Sequence, residues 1–180
     1  MSSTIPIEKA VSILPKPQAA RRSNSSGLDE VDLEILRALS ADARLTNKAL
    51  ANRLGLAEST CAYRVRQLRD RGVVTGSTLQ LDMASLGRPI QAIIKVRLGS
   101  HNQAHVNKLY ADLTSAPGVL QAIHVAGEDD FHLHVAVESS EALRDLVLKH
   151  VTIHRVVRQT ETQLVFEVRD GAGILGPNKR

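Results

Sequence analysis

Cysteine is nearly absent. Cys61 stands alone among the 180 residues, which rules out an intrachain disulfide and any paired-cysteine metal motif. A reduced intracellular compartment suits such a chain, and the cytoplasm is the expected location. No apolar run is long enough to cross a bilayer, and no continuous apolar stretch follows the first charges of the N-terminus, so neither a membrane span nor a secretory signal is expected. No Ser/His/Asp or Cys/His set and no glycine-rich phosphate loop can be assembled in the expected context, and no repeat of solenoid period occurs. Net charge is also small, +4 from 23 Lys+Arg against 19 Asp+Glu, so a polyanionic partner has to be argued from where the basic residues lie. What is present is apolar material, 43% of the chain, enough for one ordinary domain or two small ones.

The pattern along the chain divides it into two domains. Residues 1–27 hold Pro6, Pro15, Pro17, Arg21-Arg22 and a Ser/Asn/Gly stretch, a composition expected of a disordered tail. Residues 28–76 read as three helices. Leu28, Val31, Ile35 and Leu39 recur at helical spacing behind the acidic Asp29, Glu30 and Asp32, which suit a helix N-terminus. A second helix from about Thr46 to Leu54 ends at Gly55, and a third begins near Glu58, buries Cys61, Val65 and Leu68, and stops at Gly72. Val73 to Leu81 reads as β-like, and residues 77–89, with Gly87 and Pro89, form a hinge. Residues 90–170 then alternate as β-α-β-β-α-β, the last strand running from Val156 to Val168. Residues 171–180 are expected to form a flexible tail. The fold class is therefore α+β: an N-terminal helix-turn-helix, winged-helix-like domain and a C-terminal βαββαβ ferredoxin-like domain. Both helices of the second domain cover one sheet face, so a second copy is the simplest cover for the other.

In a helix-turn-helix the last helix enters the major groove N-terminus first. Glu58, Ser59, Thr60, Tyr63 and Arg64 stand where base edges would lie, and Lys48, Arg66, Arg69 and Arg71 where phosphates would. An ordinary three-helix bundle with a solvated arginine face satisfies the same periodicity. In the second domain, Gly127-Glu128-Asp129-Asp130 separates two strands and reads as a tight acidic turn. His132 and His134 share one strand face, with His124 on the adjacent strand as a possible third metal ligand; with no carboxylate at ligand-like spacing and no identifiable partners to orient the rings, no metal site is expected. His101, His105, His150 and His154 read as surface residues.

Leu28-Asp29, Asp32, Ile35-Leu36, Leu39, Asp42-Ala43-Arg44, Asn47, Leu50-Ala51, Gly55-Leu56, Ser59-Thr60-Cys61, Arg64-Val65-Arg66, Leu68 and Gly72-Val73-Val74 together resemble the N-terminal signature of Lrp/AsnC regulators. The resemblance continues through Gly76, Leu81-Asp82 and Leu86-Gly87 and covers nearly everything from Leu28 to Val168. It implies a transcriptional regulator that binds double-stranded DNA, and a homodimer assembling to a tetramer or octamer. It also implies an effector, an amino acid, bound between sensor domains at Gly127, Glu128, Asp129 and Asp130. No cofactor and no enzymatic activity are implied. The run Gly127–Val135 and the segment Arg158–Thr162 resemble the branch that controls alanine dehydrogenase genes in actinobacteria. Two departures stand out: the family has Ser-Pro where this chain has Ala57-Glu58, and an aromatic at Ser77. Two other readings sit on the same fold, a sirohaem-decarboxylase-like enzyme and a DNA-silent metabolite-binding scaffold.

Overall fold

The computed structural model describes residues 27–99 and 102–176. The tail expected over residues 1–27 lies outside them but for Gly27, as do the expectations for His101 and Pro177. Contacts separate the described chain into two units, one of residues 27–80 with 169–176 and one of residues 81–168.

In the first unit, α1 (Glu30–Ala41) opens with a reciprocal cap. The Asp29 carboxylate accepts the Asp32 N–H at 2.8 Å and the Asp32 carboxylate accepts the Asp29 N–H at 3.4 Å, so two backbone donors orphaned at a helix start are satisfied together. Helix α2 (Asn47–Leu54) is capped by Thr46, whose hydroxyl accepts the Ala49 N–H at 3.1 Å, and ends on Gly55 at φ +66°, a left-handed turn that glycine adopts without a Cβ penalty. Helix α3 (Glu58–Asp70) follows after Leu56-Ala57 and has no side-chain cap, because Ala57 occupies that position. Ile35, Ala38, Leu50, Ala51, Cys61, Val65 and Leu68 are buried together, so the three helices share one small core. The β-like segment expected over Val73 to Leu81 is not formed: these residues pair with no strand. A β-pattern becomes a strand only where a neighbour satisfies its backbone groups.

The second unit runs β1 (Ile90–Leu98), α4 (Gln103–Ser115), β2 (Val119–His124), β3 (Phe131–Val137), α5 (Ser140–Leu146, prolonged by a wider π-type turn over Val147–Val151) and β4 (Val157–Leu164). The strands pair antiparallel in the order β2-β3-β1-β4. Ala92, Ile94, Val96 and Leu98 of β1 and Phe131, Leu133, Val135 and Val137 of β3 point to the helices and form the core with Val106, Leu109 and Leu113 of α4 and Leu143 and Leu146 of α5. The final strand ends at Leu164, short of the expected Val168, and Phe166 is 99% exposed.

Candidate nucleic-acid interface and effector loop

Helix α3 presents three stripes. Cys61, Val65 and Leu68 are buried in the core. Ser59, Tyr63 and Arg66, spaced by four and three, are exposed, as are Glu58, Thr60 and Arg69, and Lys48 on α2 is exposed as well. Tyr63 is 64% exposed, more than a tyrosine serving the core would be. The third stripe holds Arg64 and Arg71, and both point back to α1. Arg64 Nη1 donates to Asp29 Oδ2 at 2.7 Å and to Asp32 Oδ1 at 2.9 Å. Arg71 Nη2 donates to the Gly27 carbonyl at 2.9 Å, and its Nη1 lies 4.0 Å from Asp32 Oδ2. The Asp32 N–H, and after it the Arg64 guanidinium, hold the Asp29 carboxyl below its usual range; the Asp29 carboxylate, and after it that of Asp32, push Arg64 up. Sequence reasoning grouped Arg64 and Arg71 with the outward residues and missed Asp29 and Asp32 as their partners. The available signal was an acid at each end of an Asp-x-x-Asp cap, which leaves lone pairs for a cation.

The loop between β2 and β3 brings Gly127, Glu128, Asp129 and Asp130 to one end of the sheet. Gly127 takes φ +150°, and a Cβ there would meet no atom within 4 Å. The Asp130 carboxylate accepts the Leu98 N–H at 2.7 Å, and its own N–H donates to the Val96 carbonyl at 2.9 Å, so Asp130 ties the loop to β1 where the β1–β4 register shifts. Asp129 sits 3.5 Å from His132 Nε2 and 3.6 Å from Arg97 Nη2, and Glu128, its side chain 88% exposed, lies 3.3 Å from the same guanidinium. Arg97, expected from the sequence only as a polar residue of a half-buried strand and not as part of a site, therefore stands beside the loop on the uncovered sheet face. Its alternation with Val96 and Leu98 was the legible sign. The three histidines do not converge. His132 and His134 lie on the uncovered face, His134 bonded to Gln91 at 2.9 Å, whereas His124 pairs with Phe131 and stacks on its ring at 4.5 Å on the helix-covered face. Among the described residues no group of His, Cys, Asp or Glu is arranged to hold a metal ion. A cavity of about 410 Å³ lined by Arg88, Glu138, Ser139, Asp145 and Lys149 opens at the far end of β3, away from this loop.

Two family profiles match the chain, one described as winged helix-turn-helix DNA-binding over residues 28–75 and one as the Lrp/AsnC ligand binding domain over residues 91–171. The chain belongs to the Lrp/AsnC family. It is 41% identical over 145 residues to the HTH-type transcriptional regulator AldR of Mycobacterium tuberculosis, covering 81% of both chains. Against AldR of Mycolicibacterium smegmatis it is 38% identical over 159 residues, covering 88% of this chain and 93% of the relative. The crystal structure of the M. tuberculosis AldR superposes with a TM-score of 0.69 at 36% identity, covering 82% of this chain and 98% of that one. A Neisseria meningitidis transcriptional regulator solved in complex with L-methionine superposes at 0.74 with 28% identity, covering 80% of this chain and 93% of that one. The N-terminal helix-turn-helix and the four-stranded antiparallel α/β domain are those of Lrp/AsnC transcriptional regulators, with one DNA-binding and one ligand-binding part. These relatives are named as transcriptional regulators, and among the described residues no helix is long and apolar enough to cross a membrane.

Proposed function

We propose that this regulator reads DNA with the exposed stripe of α3 and takes a small α-amino acid at the Gly127–Asp130 loop, with occupancy of that loop setting how it assembles on DNA. The observation that carries the first half is the solvent-facing set Ser59, Thr60, Tyr63 and Arg66 on α3. Hydroxyls, a phenol and a guanidinium match base edges and phosphates, and exposed Lys48 and Arg69 supply flanking phosphate contacts. Glu58 sits at the same end and is expected to tune sequence preference. The second half rests on chemistry at the loop. An amino acid presents opposite charges on one carbon, and Arg97 lies beside the acids Glu128 and Asp129 with the open backbone of Gly127 next to them. The methionine held by the Neisseria relative favours that ligand class. A second copy of the chain covers the sheet face of Ile93, Lys95, His132 and His134, and dimers associate further. Effector acts through its different affinity for alternative assemblies.

The test is calorimetric titration of alanine, leucine, methionine and the remaining amino acids into the full chain and into Gly127→Val and Glu128→Ala, with DNA binding followed in parallel. Loss of effector binding in both variants, with basal DNA binding kept, is the expected result. Unchanged affinity in both would move the pocket elsewhere.

A further inference from the structure

We propose that Arg64, although it lies on the helix that faces DNA, is a positioning residue that locks α3 to the first turn of α1 and does not itself read bases. The geometry puts one guanidinium on two carboxylates, 2.7 Å from Asp29 Oδ2 and 2.9 Å from Asp32 Oδ1, and those same carboxylates close the α1 cap. Asp32 is 7% exposed, the buried charged residue among those described. A carboxylate removed from water needs its countercharge in place, so swinging Arg64 out to a base edge would leave the buried Asp32 carboxylate with only the more distant Arg71, 4.0 Å away, as countercharge. Arg71, two turns further along, adds its bond to the Gly27 carbonyl and its approach to Asp32, so one edge of α3 is fastened at two heights. That edge lies roughly 120° around the helix from the Ser59–Tyr63–Arg66 stripe. The bond network thus sets the rotation of α3 about its own axis and hence which side chains of the exposed stripe meet the groove. Both bonds leave from Nη1; a lysine at this position keeps the charge but replaces the rigid planar guanidinium with a shorter, rotatable ammonium that fixes the helix less firmly.

The inference rests on α3 being the DNA-contacting helix, and the experiment separates the two. Wild-type full-length chain first selects duplexes from a random-sequence pool; failure to enrich any duplex overturns the α3 reading itself. Arg64→Lys, Arg64→Met, Asp32→Asn and the Arg64→Met/Asp32→Asn double variant are then titrated with the selected duplex over a salt series, with Arg66→Ala as the direct-contact control. Each single variant should bind the selected duplex about tenfold more weakly, and the double variant no more weakly than the worse single, as partners in one network behave. The slope of log affinity against log salt should stay at the wild-type value for the Arg64 variants and fall by about 0.9 for Arg66→Ala if that residue meets one phosphate. A fresh selection with Arg64→Lys should return the wild-type sequence. Should Asp32→Asn fail to fold, as read by circular dichroism, Asp29→Asn takes its place in the cycle. Three results would overturn the proposal: tighter binding by the Asp→Asn variant, as expected if it frees a base-reading arginine; a reduced salt slope in Arg64→Met; or a changed base at one position of the reselected site.

Discussion

At the scale of single residues, the structure divides like-charged side chains by what they are already bonded to. Arg66 and Arg69 are exposed, while Arg64 of the same helix is held by two carboxylates at the start of α1. The acids of the Gly127–Asp130 loop divide in the same way: Glu128 is open to solvent, and Asp130 is committed to the Leu98 N–H at 2.7 Å. Asp130→Ala therefore leaves a strand donor without its charged acceptor beside a register shift. It should lower unfolding stability by about 2 kcal/mol, measured by urea denaturation, with a smaller effect from Glu128→Ala. Equal stability of the two variants would show that the loop does not depend on this bond. Residue types and their turn-forming character were legible in the sequence here. The partners were not, because each lies on another element and pairing is a matter of distance in space.

At the scale of elements, most of the helix starts in the structure are closed by a side chain. Asp29, Thr46, Asn102 and Ser139 all cap their helices through side-chain oxygens, as short polar side chains do where backbone N–H groups are orphaned. Helix α3 is the exception, with Ala57 at its cap and no side-chain bond. Ala57→Ser should supply the missing acceptor and stabilise the helix-turn-helix by about 1 kcal/mol, seen as a melting-temperature rise of roughly 4–8 °C if this unit melts as a domain of its own. An unchanged melting temperature would mean that the α3 start is held by packing alone. Helix periods and their buried positions were readable because a period of 3.6 registers in the order of residues. The segment from Val73 to Leu81 was not, since a strand exists only by virtue of a neighbour. The last strand stops at Leu164, opposite Ala92, although β1 runs on to Ile90; the Val165 N–H still donates to the Gln91 carbonyl at 2.9 Å before the chain leaves the sheet.

At the scale of the whole molecule, the sheet decides what the sensor unit can do. Its helix-covered side is filled by aliphatic residues and Phe131, and its other side carries Ile93, Ile123 and Ala136 among Gln91, Lys95, Arg97, His132 and His134. If a second copy covers that side, Ile93→Glu places a charge at the centre of the contact and should weaken self-association on the order of tenfold. Sedimentation velocity across a dilution series reads this directly, and an unchanged dimer constant would assign the contact to another surface. The order of the residues alone determined the two-part division, the helix-turn-helix, the βαββαβ succession and the family, because each is written in periodicity, turn residues and motif spacing along the chain. Only the tertiary structure decided that His124 stands on the opposite sheet face from His132 and His134, that Arg97 stands beside the Gly127–Asp130 loop, and that Arg64 turns inward to Asp29 and Asp32. Strand register and helix rotation settle such neighbours, and both are fixed by packing between elements far apart in the sequence.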